Sequence, residues 1–104
     1  MKQNFDACLR LVLPQALEEQ VCDFLLAHPR EAGPFITHLV DGHGALESIT
    51  AESEEVRGRA QRVMIEVLTD LESARHLVAE LNKLWPQARL SYWITAVLEA
   101  GRFA

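Results

Sequence analysis

Apolar positions along this chain alternate with period two in some stretches and recur at helical spacing in others. Residues Ala7–Leu13 predict a first strand, with Leu9, Leu11 and Leu13 on one face and Cys8, Arg10 and Val12 on the other. Pro14 ends it and suits the first turn of a helix, where its missing N–H costs nothing. That helix runs to about His28, on a stripe of Leu17, Val21, Phe24, Leu25 and His28. Pro29, Gly33 and Pro34 predict a turn-rich connection. Phe35–Val40 then reads as a second strand and Ala60–Leu68 as a third, with Val63, Ile65 and Val67 on one face. Thr69-Asp70-Leu71-Glu72 fits a capping box with Thr69 as N-cap and Glu72 reaching back. The helix it opens carries Ala74, Leu77, Leu81, Leu84 and Trp85 on one stripe, and Pro86 stops it. Arg89–Val97 is a fourth strand, with Leu90, Tyr92, Ile94 and Ala96 alternating against Ser91, Trp93 and Thr95.

The order β-α-β-β-α-β predicts an α+β, ferredoxin-like domain spanning residues 1–104. Its four-stranded antiparallel sheet carries both helices on one face. The other face would then present Cys8, Val12, Ile36, Val40, Met64, Leu68 and Trp93, mixed with Arg10, His38 and Glu66. That surface is too apolar for solvent and predicts a homo-oligomer packed sheet against sheet. Tyr92 is expected in the helix-side core and Trp93 on the oligomer face. Between the second and third strands lies a polar segment, Asp41–Arg59, far longer than the usual hairpin loop of about 2–5 residues. Long connections on small rigid domains tend to carry function.

Composition narrows the function classes. Hydrophobic residues make up 49% and charged residues 24% of 104 residues, as expected of a globular domain with one modest core. A net charge of −5 argues against grasping a nucleic-acid backbone. The third strand, AQRVMIEVL, also lacks the exposed aromatics of an RNA-recognition sheet. No apolar run approaches the roughly 18 residues of a membrane span, and the N-terminus lacks a signal-peptide core, so a cytoplasmic location is expected. Cys8 and Cys22 form no CxxC pair and read as reduced thiols.

The candidate chemistry gathers around the polar segment. His43, flanked by Gly42 and Gly44, and His38 five positions earlier are candidate ligands for a transition-metal ion, with Asp41 and Glu47 nearby in sequence. The alternatives are a turn histidine and a strand residue satisfied at a subunit interface. Arg57, Arg59 and Arg62, with Arg102 from the tail, are candidates for an anion-binding cleft, because a guanidinium fork matches phosphate and carboxylate. The alternative is internal pairing with Glu52, Glu54 and Glu55. His28 suits a helix C-terminus, and His76 is expected in solvent. No Ser/His/Asp set, activated cysteine or paired carboxylates is evident, so an enzyme is not expected. A ligand-free interaction protein is the bland alternative, and a small ferredoxin-like enzyme a more distant one.

The element order, Gly42-His43-Gly44, Glu55-Val56-Arg57-Gly58-Arg59 ahead of a strand, and Tyr92-Trp93 followed by Gly101-Arg102-Phe103 together resemble a family of small PII-like proteins. That family is catalogued as a domain of unknown function and tends to occur beside bacterial heavy-metal efflux systems. The resemblance covers about Cys8 to Phe103. It implies a trimer of ferredoxin-like protomers, as in signalling PII and CutA-type proteins, with Asp41–Arg59 as the loop that responds to a small effector and docks on a partner. An efflux transporter is the partner this implies, and the effector would be a metal ion or an anion. The signature motifs of nucleotide-binding PII proteins have no match here.

Overall fold

The computed structural model describes residues 4–43 and 59–104, with backbone only at 59 and 60. Strand β1 (Ala7–Pro14) leads through a 3-10 turn (Gln15–Leu17) into helix α1 (Glu18–Leu26). Strands β2 (Phe35–His43) and β3 (Arg59–Thr69) follow, then helix α2 (Leu71–Leu84) and strand β4 (Ser91–Ala96). The sheet order is β2-β3-β1-β4 and every pairing is antiparallel. The expected βαββαβ ferredoxin-like arrangement is what forms.

The two central strands carry the core. Leu9, Leu11, Leu13, Val63, Ile65 and Val67 are essentially inaccessible. They share one cluster with Val21, Phe24 and Leu25 of α1 and Ala74, Leu77 and Leu81 of α2, so both helices lie on the same face. His28 closes α1 by donating from Nδ1 to the Phe24 carbonyl oxygen at 2.7 Å, its ring 4.2 Å from that of Phe24. Phe24 in turn meets Trp85 edge-on at 6.2 Å, tying the ends of the two helices together. At Gly33 the chain passes so close to β3 that a Cβ would stand 2.3 Å from the Leu68 carbonyl oxygen. The same approach lets Gly33 N–H donate to that oxygen at 3.0 Å.

Several boundaries differ from the sequence expectation. The N-cap of α2 is Asp70, whose carboxylate accepts from Ser73 N–H at 2.8 Å and from the Ser73 hydroxyl at 3.0 Å. Thr69 is instead the fully buried last residue of β3, paired with Ala7, and its hydroxyl donates to the Glu31 carbonyl oxygen. Leu84 is more than half exposed, because the last turn of α2 passes the edge of the core. Tyr92 is also half exposed, since β4 is an edge strand. His76 is not simply solvated: it pairs with Glu31 and lies 3.8 Å from Glu80. No helix among the described residues is long and apolar enough to cross a membrane.

Candidate functional site

Register determines what the β2–β3 hairpin can present. β1 reaches only as far as the Pro14–Arg62 pair, but β2 and β3 continue through Asp41–Gln61, Gly42–Ala60 and His43–Arg59. Three further pairs therefore extend as a two-stranded arm beyond the four-stranded sheet. The connection expected over 41–59 is shorter than it reads: Asp41, Gly42, His43 and Arg59 belong to the strands. Turn-forming residues at 41–44 hide this, because cross-strand pairing overrides local propensity.

The same register tests each candidate side chain. His38 and His43 are separated by an odd number of strand positions, so they point to opposite faces of the sheet. They cannot share one metal ion within a protomer. No group of three potential metal ligands occurs among the described residues. His43 is exposed and stands opposite Arg59, so a metal candidate and an anion candidate are neighbours at the end of the arm. Arg62 lies opposite Val40, is 5% exposed and already has an interaction partner, so it reads first as a structural cation. Arg102 sits on a tail leaving the sheet at the Ala7–Thr69 end, roughly 30 Å of strand away from the Arg59 end. Within one protomer, then, Arg102 does not join the arginine cluster. Arg57 and Glu47 lie outside the described residues.

On the sheet face without helices, polar side chains join all four strands. Arg10 of β1 donates from Nη1 to Thr95 Oγ1 of β4 at 2.9 Å, and its Nε is 3.4 Å from Glu66 Oε1 of β3. His38 Nε2 of β2 donates to Glu66 Oε2 at 2.9 Å. Alternation places these residues on one face, but the diagonal contacts appear only with the register. Glu66 is the residue that sequence reasoning left without a role. Around this chain lie Ile36, 63% exposed, and Trp93, 36% exposed, with Met64, Leu68 and Val40 partly covered. Cys8 on this face is buried between its strand neighbours, and burial raises its thiol pKa above the usual 9.0. Cys22 is shifted in the same direction, first by burial and then by Glu18 and Asp23. Both cysteines are free thiols.

Two hollows among the described residues lie on the helix side. One of about 390 Å³ lies between the end of α2 and β4, lined by residues including Trp85, Leu90 and Tyr92. A second of about 330 Å³ continues from it along Val78, Tyr92, Ile94 and Arg75. Arg89, at the mouth of the first, adopts a φ of 60°, unusual for a side-chain-bearing residue, and turns the chain into β4.

This architecture, a ferredoxin-like chain with an extended β2–β3 arm, has the fold seen in PII-like and CutA proteins. The chain belongs to the family described as protein of unknown function DUF3240, whose match runs over residues 3–104. It is similar to the structure of a DUF3240 family protein from Shewanella baltica, at 14% identity and a TM-score of 0.75, covering 98% of this chain and 100% of that one. It is also similar to a nitrogen regulatory PII-like protein from Thiomonas intermedia bound to ADP, AMP and bicarbonate, at 15% identity and a TM-score of 0.69, with 99% and 100% covered. A third similar structure is the periplasmic divalent cation tolerance protein CutA from Archaeoglobus fulgidus, at 11% identity and a TM-score of 0.69, with 92% and 87% covered. No curated protein matches the chain.

Proposed function

We propose that this chain is a non-enzymatic regulatory protein of PII-like type. It assembles as a homo-oligomer, a trimer, through the open sheet face, and it binds a small effector near the end of the β2–β3 arm. The observation that carries this reading is the His43–Arg59 pair at the outer end of the arm, beside the segment that joins the two strands. An effector held there would favour one arrangement of that segment and so alter what it docks on, which is the energetic requirement for a switch. A membrane efflux transporter is the proposed partner, and the cytoplasm the proposed location.

An anion is the leading effector class. An arginine beside an exposed histidine offers charge-assisted N–H donors, and the similar Thiomonas protein binds bicarbonate and adenine nucleotides. A transition-metal ion is the second reading, favoured by the exposure of His43 and by the similar fold of the Archaeoglobus divalent cation tolerance protein. In that case further ligands would come from outside the described residues of this protomer or from another copy. Isothermal titration separates the two. Bicarbonate, ADP and AMP form one arm, and zinc, copper, nickel and cobalt the other, each repeated with Arg59→Ala and His43→Ala. Heat from an anion that disappears in Arg59→Ala supports the first reading. Metal binding lost in His43→Ala supports the second. Silence in every titration overturns the effector proposal.

A further inference from the structure

Residues 98–104 have no seat among the described residues. Val97 N–H donates to the Asp6 carbonyl oxygen at 3.0 Å, and every residue from 98 to 104 is then exposed. Leu98 and Phe103 expose essentially their whole side chains to solvent. A phenylalanine ring left wholly in water forgoes the stabilisation that burial would give it. Meanwhile β4 is a sheet edge with unpaired backbone groups, and beside it runs the apolar seam against α2.

We propose that residues 98–104 of one protomer lie along β4 of a neighbouring copy, with Phe103 in its Trp85–Tyr92 hollow and Glu99 beside its Arg75. The inference rests on the self-association proposed above and names a segment that mediates it. Side-chain spacing supports the fit. Glu99, Gly101 and Phe103 share one side of an extended segment, with about 13 Å between the first and the last. Along α2, Arg75 and Trp85 are separated by about 15 Å of helix. A tail running antiparallel to β4 thus brings its acid to Arg75 and its ring to Trp85 together. Arg75 makes no ion pair among the described residues, so the carboxylate has a cation to meet. Gly101, between the two, adds no side chain over Val78 and Tyr92.

The tail's own seam is the competing seat, and the sequence of the junction opposes it. Returning along β4 requires a hairpin turn directly after Ala96. The residues there are Val97, Leu98 and Glu99, with none of the Gly, Asn, Asp or Pro that tight hairpins use. Val97 is also already bonded to Asp6.

Disulfide trapping with Asn82→Cys and Phe103→Cys tests this, because Asn82 is exposed and lines the hollow that Phe103 would enter. Mild oxidation of the double variant should give chains linked to one another on a non-reducing gel. Neither single variant should do so, which controls for Cys8 and Cys22. Light scattering of the unmodified protein runs in parallel. A multi-chain mass without interchain links overturns the tail proposal and leaves self-association standing. A link within one chain overturns it too, by placing the tail on its own seam. A single-chain mass overturns both.

Discussion

The two faces of the sheet are built from the same strands and end in different states. On the helix side, Leu9, Leu11, Leu13, Val63, Ile65 and Val67 are sealed by α1 and α2, so this face is finished within one protomer. On the other side, Cys8 and Val12 lie on a central strand between β3 and β4, while Ile36 and Trp93 face outward around the Arg10–Glu66–His38 chain. A charged network within an apolar surface suits an interface better than a core or a solvated face. It is tolerable in water, and its fixed geometry would set register in the proposed assembly. The fold's stability thus resides on one face, and the proposed association falls to the other.

Substitutions on each side should therefore separate stability from assembly. The largest loss is expected for Leu77→Ala, which empties part of the sealed core at about 2–5 kcal/mol, read from urea unfolding. Gly33→Ala comes next, at roughly 1–3 kcal/mol, because its methyl group meets the Leu68 carbonyl and the Phe5 ring. Glu66→Gln should cost about 1 kcal/mol by weakening both of its contacts on the half-exposed face. Ile36→Glu should change protomer stability by no more than about 0.5 kcal/mol and still abolish oligomerisation. A stability loss from Ile36→Glu as large as that from Leu77→Ala, without loss of mass, would erase the distinction between the faces.

The smallest effect concerns pH. The raised thiol pKa of Cys8 means that the folded chain holds its proton longer than the unfolded one. Its contribution is present in full below the usual value of 9.0 and is lost as pH rises through the folded-state value. The unfolding midpoint should thus fall less steeply between pH 8 and pH 10 in Cys8→Ala than in the parent chain. Equal slopes would show that the thiol is not desolvated as described.

Strand faces were legible because alternation survives any shift in boundary: Leu9 and Val63 face the helices wherever β1 and β3 begin. The boundaries at His43 and Thr69 were less legible. Asp41-Gly42-His43 carries turn-forming residues, yet it pairs with Arg59–Gln61. Thr69 and Asp70 are both able caps, and pairing of Thr69 with Ala7 decides between them. The candidate site was readable as a list of residues but not as an arrangement. That His43 meets Arg59 while Arg102 leaves from the far end depends on register and strand order, which no local spacing encodes. The role of Glu66 was hidden for the same reason.

The account depends most on the open face being an interface. Light scattering of the purified chain at micromolar concentration, alongside Ile36→Glu, measures this directly. The account predicts three times the 11.7 kDa chain mass for the parent protein and a single-chain mass for the variant, with circular dichroism unchanged. A parent protein that scatters as one folded 11.7 kDa chain would contradict it.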